Sequence, residues 1–266
     1  MNSTLLDLGF FSIKWYSFFI FIGIITAVFL ITKEYKKKDS KKDNLLDLLF
    51  YGILIGILGA RIYYVLFNLD YYLSSPVEII QVWNGGLAIH GGIIAAFIFL
   101  IIYCKKKEMN FLLLLDILVV GVIIAQALGR WGNFFNGEAY GRIVSLSFLK
   151  GMHLPKFIID GMYIDGFYRE PTFLYESLFS FLGFIVLLLV RKIKSLRVGQ
   201  LTGIYFIWYG LERFIIETFR SDSLMLGNFK MAQIISIISC IGGIYLLFKN
   251  IKSNKLYKEE KIFIEK

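Results

Sequence analysis

Seven stretches of the chain are almost wholly apolar: residues 15–32, 45–67, 85–104, 111–128, 173–190, 201–219 and 232–248. A helix needs about 20 apolar residues to cross a bilayer, with roughly 17 to 25 acceptable. The pattern therefore predicts an all-α integral membrane protein of about seven transmembrane helices, a single multi-pass membrane domain over residues 1–266. Only one connection is long. Residues 129–171 contain Gly, Asp, Tyr and two short apolar stretches at 144–149 and 157–159. Loops of this length without structure of their own are uncommon and often functional, so the segment is expected to be an ordered extracytoplasmic cap between spans four and five. No internal repeat, Gly/Ser linker or Pro-rich tract interrupts the pattern.

Charge orients the spans. Six lysines follow span one, three follow span three, four basic residues follow span five, and six more lysines lie in the tail from Lys249. The alternate segments hold only Lys14, then Arg130, Arg142, Lys150, Lys156 and Arg169, then Arg220 and Lys230. Lys and Arg accumulate on the cytoplasmic side of a membrane protein, so the N-terminus is expected outside and the C-terminus inside. In span one the basic cluster follows the apolar run, which is not the order of a cleaved signal peptide. The composition agrees with a membrane protein: 57% hydrophobic, 18% charged, mean hydropathy +0.67. The net charge of +9 lies in blocks between the spans; it marks topology and contact with anionic lipid and does not indicate nucleic acid. Two cysteines, Cys104 and Cys240, suggest neither a disulfide framework nor a metal site.

Ionisable residues inside spans are costly and usually face an interior or a cavity. In the expected orientation Tyr16, Arg61, His90, Arg130, Arg213 and Glu217 all fall in the outer leaflet, although they come from five different spans. Each has a plainer reading: Tyr16 as an interfacial aromatic, Arg61 snorkelling to headgroups, His90 as a satisfied buried histidine. His90 should lie about one and a half turns below the outer surface, and Gly91 and Gly92 beside it leave space for a neighbouring helix or a ligand. Tyr209, Arg213, Glu217 and Arg220 follow at helical steps on one face. Arg213 can pair with Glu217, in catalysis or merely as a structural ion pair. Glu212 lies off that stripe, and Tyr175 and Glu176 open span five. The densest cluster runs from Gly129 to Arg142 and includes Arg130, Asn133, Glu138 and Gly141. Arginine presents a planar fork for phosphate oxygens, and glycine permits tight turns near a ligand. The ligand expected at that depth is a phospholipid headgroup.

These residues resemble a known family, the bacterial prolipoprotein diacylglyceryl transferases. The resemblance covers nearly the whole chain in order: Trp15-Tyr16, Gly59-Ala60-Arg61, His90-Gly91-Gly92, the signature from Gly129 to Arg142 (similar to the family's G-R-x-G-N-F-x-N-x-E-x-x-G), then Pro171-Thr172-Phe173-Leu174-Tyr175-Glu176, and Tyr209-Gly210 with Arg213, Glu217 and Arg220. Two positions depart from it. The family usually has His where this chain has Glu170, and Gln where it has Phe173.

The resemblance implies transfer of the diacylglyceryl group of phosphatidylglycerol to the lipobox cysteine of a preprolipoprotein, with release of glycerol phosphate, the first step of bacterial lipoprotein maturation. It implies a place in the cytoplasmic (inner) membrane with the site facing the outer leaflet. The partners would be phosphatidylglycerol, the signal peptide of the substrate protein and membrane lipids. It points to His90, Arg130 and Arg213 as catalytic, and to Tyr16, Arg61, Asn133, Glu138, Gly141, Tyr209, Glu217 and Arg220 as substrate-binding. His90 is the candidate general base, with Tyr16, or an arginine field acting on the thiol directly, as competitors. No metal or cofactor is implied. The rival readings are a transporter, whose site would lie near the midplane between repeated halves, and another lipid-headgroup enzyme. The topology has a direct test. In a variant lacking Cys104 and Cys240, a cysteine placed at Ser147 should react with a membrane-impermeant maleimide on intact cells. A cysteine placed at Ser195 should react only after permeabilisation.

Overall fold

The structure is a computed structural model that describes residues 4–7, 12–38, 43–221, 223–227, 229–251 and 255–263. Among the described residues, seven long helices stand where the apolar runs predict them: α1 (Trp15–Tyr35), α2 (Asp43–Leu66), α4 (Ile89–Lys106), α5 (Phe111–Asn136), α8 (Thr172–Val190), α9 (Gln200–Glu217) and α10 (Met231–Asn250). Short helices α3 (Leu69–Ser74), α6 (Leu146–Gly151) and α7 (Lys156–Gly161) lie in the connections, as do three two-stranded hairpins: β1–β2 (Thr4–Asp7, Ser12–Lys14), β3–β4 (Tyr163–Ile164, Phe167–Tyr168) and β5–β6 (Met225–Leu226, Phe229–Lys230).

Six of the seven long helices are long and apolar enough to cross a membrane. The seventh, α9, carries Glu212, Arg213 and Glu217. Only 11% of the apolar window of α4 and of α10 is buried within the protein. Such surfaces would be intolerable in water and are ordinary against lipid tails. The molecule is a multi-pass membrane protein.

The chain forms two compact units, one of Thr32–Leu114 with Lys261–Lys266 and one of Met1–Ile31 with Leu115–Glu260. In the first, α2 and α4 cross through small residues. A Cβ on Gly91 would collide with the Tyr63 Cβ and the Gly59 carbonyl, and one on Gly59 with Ala95. Hydrocarbon provides no hydrophobic drive between helices, so close backbone approach is what holds them together. The space beside His90 is thus filled by a neighbouring helix.

In the second unit α9 and α10 cross at Gly203 and Gly243, where each glycine faces the other's carbonyl, and again at Gly210 against Cys240 and Ser236. Asp116, fully buried in α5, accepts from the Gly199 and Thr202 amides and the Thr202 hydroxyl at 2.6, 2.8 and 2.6 Å. A carboxylate there meets the positive end of the α9 dipole. The Ser177 hydroxyl bonds the Ala127 carbonyl and receives the Trp131 indole N–H, joining α8 to α5. Tail residues 255–258 pair with the loop before α9, where Tyr257 N–H meets the Leu196 carbonyl and the Val198 N–H meets the Lys255 carbonyl.

Two boundaries differ from expectation. The fourth apolar run was expected to end near Leu128, but α5 continues to Asn136, so the start of the Gly129–Arg142 signature is helical. The third span was expected from Gly85, but α4 begins at Ile89. Gly85 and Gly86 hold φ of 88° and 71°, outside any right-handed helix, and two 3-10 turns precede them. His90 is consequently in the first turn of α4, not one and a half turns along it, and is exposed. Beyond α5, residues 137–171 form an ordered cap whose core is Phe134, Leu149, Ile158, Met162 and Phe173.

The glycine crossing generates a stability prediction. Gly91→Ala should destabilise the folded protein in detergent by about 1–3 kcal/mol, the cost of overpacking. Gly151→Ala, where a Cβ meets nothing within 4 Å, should leave thermal unfolding unchanged.

Candidate functional site

Three helix ends of the Met1–Ile31, Leu115–Glu260 unit bring five charged side chains into one chain of ion pairs. Glu176, in the second turn of α8, is buried. Its Oε1 accepts from Arg213 Nη1 at 2.8 Å, and its Oε2 contacts Arg130 Nε near the end of α5. Arg213 Nη2 lies 2.8 Å from Glu217 Oε2, one turn along α9, and Arg220 Nε is 4.0 Å from the same oxygen. The predicted Arg213–Glu217 pair is therefore present. The sequence reading did not weigh Glu176 as a site residue, yet it links the two catalytic arginine candidates. The Pro171–Glu176 motif was the signal that could have found it. Asp116 was also passed over, although an aspartate inside an apolar run is itself a signal.

The electrostatics favour an anion. The five groups of the ion-pair chain sum to +1, with buried Glu212 acting on Glu176, Arg130 and Arg213 from beside them, and the signs are unevenly exposed. The carboxylates are 2% exposed, whereas the arginine side chains are 22% (Arg130), 18% (Arg213) and 12% (Arg220) exposed. Buried carboxylates thus fix guanidiniums that remain partly open. The Arg130 contact is an ion pair without an aligned hydrogen bond on Glu176 Oε2. The closest contact is through Nε, and no hydrogen bond joins either terminal nitrogen of Arg130 to the described residues. A terminal pair of this kind suits two oxygens of a phosphate. Lys230 closes the end of α9 by donating to the Glu217 and Arg220 carbonyls at 2.6 and 3.1 Å.

The remaining candidates fall into distinct places. Tyr16 opens α1 with its ring packed on Gly132, where a Cβ would lie 2.9 Å from the ring. Its position therefore depends on that glycine. Asn133 is one turn after Arg130, and its carbonyl accepts from the Glu138 amide at 3.0 Å. Glu138 is exposed beyond the positive-φ Gly137 and accepts from the Asn136 amide nitrogen at 3.3 Å. Gly141 is buried where the cap strand crosses Arg220 and Glu170. A side chain there would meet the Glu170 Cβ and carbonyl at 2.8 and 3.0 Å, so its role is close packing. The Tyr209 ring stacks on Tyr205 at 6.1 Å. Glu212, off the stripe, accepts from Ser180 at 2.7 Å.

The two departures from the family pattern both have partners. Glu170 pairs with Arg142 at 2.9 Å and accepts from the Tyr175 hydroxyl at 3.3 Å. Phe173 stacks on Phe134 at 4.5 Å and meets Trp131 edge-on at 5.5 Å. That corner is held by an ion pair and an aromatic cluster.

Arg61 and His90 belong to the Thr32–Leu114 unit. Arg61 is buried, but its guanidinium does not snorkel. It donates to the carbonyls of Ile79 (2.8 Å), Gly85 (2.8 Å), Gly86 (2.9 Å) and Glu78, and sits 5.1 Å from the centre of the Tyr72 ring. It latches the connection between α2 and α4. The His90 ring has no hydrogen bond among the described residues.

A polytopic helical membrane protein with a fixed, partly open arginine cluster at one end of its helices is the class that fold and site define. A sequence model of the prolipoprotein diacylglyceryl transferase family matches residues 3–249, and the chain belongs to that family. It is 45% identical to the phosphatidylglycerol–prolipoprotein diacylglyceryl transferase of Staphylococcus haemolyticus over 97% of this chain and 92% of that protein. It is 44% identical to the same-named protein of Listeria innocua over 98% and 95%, and 49% identical to that of Bacillus licheniformis over 90% and 88%.

The ion-pair chain predicts the effect of removing its centre. Glu176→Gln keeps the shape but leaves two largely buried guanidiniums without their shared carboxylate. It should destabilise the protein by about 3 kcal/mol, the scale of a broken buried pair, measured by thermal unfolding in detergent. Lys156→Gln, which breaks an exposed pair with Asp160, should change stability by less than about 1 kcal/mol.

Proposed function

We propose that this chain transfers the diacylglyceryl group of phosphatidylglycerol to the lipobox cysteine thiol of a preprolipoprotein, the first step of bacterial lipoprotein maturation. The observation that carries the reading is Arg130: its Nε is tied to a buried carboxylate while its side chain stays partly exposed and its terminal nitrogens make no hydrogen bond to the described residues, within a chain that belongs to the transferase family. The site works in the bacterial cytoplasmic membrane and faces the outer leaflet, with the N-terminus outside and the C-terminus in the cytoplasm. The substrate's signal peptide places the lipobox cysteine at that depth.

In the reaction the thiolate sulfur attacks the primary carbon of the diacylglyceryl group. The carbon–oxygen bond to phosphate breaks, a thioether forms, and the electron pair leaves on glycerol phosphate. Charge develops on the departing phosphate. Arg130 and Arg213 stabilise it as preorganised cations, an effect of about a hundredfold or more when one such donor is removed. Glu176 and Glu217 hold the arginines so that little reorganisation is needed as charge builds. Asn133, Tyr16, Tyr209 and Arg220 hold the headgroup, and Glu138 orients the glycerol hydroxyls.

A free thiol titrates near pH 8.5 and needs deprotonation to react. The family resemblance makes His90 the candidate base, and its exposed ring without a hydrogen-bond partner among the described residues leaves it available. His90→Gln retaining near-full activity would remove it from that role.

Purified protein, phosphatidylglycerol and a lipobox peptide should give a mass gain of one diacylglyceryl group, absent when the peptide cysteine is serine. Arg130→Lys keeps the charge but loses the fork, and should lower kcat/KM by about a hundredfold. No transfer by a folded protein, beside an active relative as control, would contradict the proposal.

A further inference from the structure

A cavity of about 330 Å3 lies between α8 and α9, and no member of the ion-pair chain lines it. Its walls carry three aromatic rings, from Tyr175, Phe179 and Phe219, and two carboxyl groups, from Glu170 and Glu212. The rest is isoleucine, and among the described residues no basic side chain lines it. We propose that this cavity binds a small organic cation of the alkylated ammonium class, with the cation over Phe179 and beside Glu212.

Helical spacing places these groups. Tyr175 and Phe179 stand one turn apart on α8, while Glu212, Ile216 and Phe219 follow at steps of four and three along α9 and just past its end. Ser180 meets Glu212 at the inner end, and the Tyr175 and Phe219 rings meet edge-on at 6.4 Å at the cap end. The cavity thus spans about two helical turns, roughly 10 Å.

The cap end already holds a cation. Glu170 pairs with Arg142 at 2.9 Å, and that guanidinium stands 5.8 Å from the centre of the Phe219 ring. A ring face beside a negative charge is how ammonium groups are recognised. The inner end has the same two parts without a cation in contact. Glu212 is 4% exposed; its Oε1 accepts from Ser180 at 2.7 Å, and its Oε2 has no hydrogen-bond partner among the described residues. Arg130 and Arg213 act on Glu212 from beside it, but each contacts Glu176 instead, and no ion pair among the described residues includes Glu212. A buried carboxylate without a cation in contact is costly, and a bound cation offsets that cost. Phe179 is held in place by Trp208, whose ring packs at 5.2 Å and whose indole N–H donates to the Phe179 carbonyl at 3.0 Å.

The lining selects the kind of ammonium. Glu212 Oε2 is itself covered by protein atoms, so a ligand feels its charge without touching a free acceptor. That suits a cation whose charge is spread over N-alkyl groups, which needs no acceptor and gains from apolar walls. A primary ammonium would leave donors unmet against isoleucine, and an anion would face two carboxylates. Two sources share this chemistry: a free N-alkylated amine and the choline headgroup of a lipid. The ligand class follows from the lining and does not rest on the transfer reaction.

The test uses the full chain in dodecyl maltoside micelles, which carry neither charge nor amine. Choline is titrated calorimetrically beside neohexyl alcohol, its uncharged carbon isostere, and should bind at least about tenfold more tightly. Glu212→Gln keeps an acceptor for Ser180 and removes the charge, and Phe179→Leu removes the ring; each should weaken choline by about tenfold. Phosphatidylcholine added to the micelles identifies the source. Competition assigns the cavity to a lipid headgroup and its absence to a free amine; both support the proposal. Neohexyl alcohol binding as tightly as choline, no binding of choline, or choline affinity unchanged in either folded variant would overturn it and leave an apolar groove for lipid chains. The comparison of the two probes on the unaltered protein decides the matter if a variant fails to fold.

Discussion

The Glu176 carboxylate is buried where the ends of α5, α8 and α9 meet, and it contacts two guanidiniums at once. A lone carboxylate at that depth would be expensive, and so would either arginine. Together they offset one another's desolvation, at the condition that all three helix ends stay in place. The surrounding structure meets that condition. Ser177 and Trp131, each one residue beyond an ion-pair partner, tie α8 to α5, and Asp116 ties α5 to the opposite end of α9. The stack of Phe134 on Phe173 carries the α5–α8 contact into the cap.

The same arrangement explains why the arginines are suited to a phosphoester. Carboxylates that were exposed would compete with phosphate for the guanidinium edges. Here they are buried behind the arginines, and the closest contact with Arg130 is made through Nε. The cap adds a second constraint through Gly141, which lets a strand cross between Glu170 and Arg220. Gly132 similarly admits the Tyr16 ring against α5. Several glycines of the signature thus act by permitting approach, and they contribute to the site through the side chains they bring near.

Much of this was legible in the sequence because hydrocarbon imposes simple rules. All seven long helices followed from apolar run lengths, and the Arg213–Glu217 pair followed from helical spacing. The start of α4 was misjudged because Gly85, Gly86 and Leu87 read as a continuation of an apolar run; only their backbone angles reveal the 3-10 turns and positive φ that delay the helix. The end of α5 was misjudged for the converse reason: polar residues such as Arg130 and Asn133 look like loop, yet they are helical, and Arg130 meets the buried Glu176. The latch made by Arg61 could not be read from the sequence, since its partners are backbone carbonyls that leave no mark in side-chain identity. Glu176 was visible as a letter, but its meaning arises from arginines 46 and 37 positions away in a chain that must fold to bring them together.

The central claim is that Arg130 and Arg213 act as one unit through Glu176. The most direct measurement is a double-mutant cycle on kcat/KM for diacylglyceryl transfer, with Arg130→Lys, Arg213→Lys and the pair. Residues acting as a unit are strongly non-additive, so the double variant should be little worse than the more impaired single one. Losses that multiply would contradict the account and assign the two arginines independent roles.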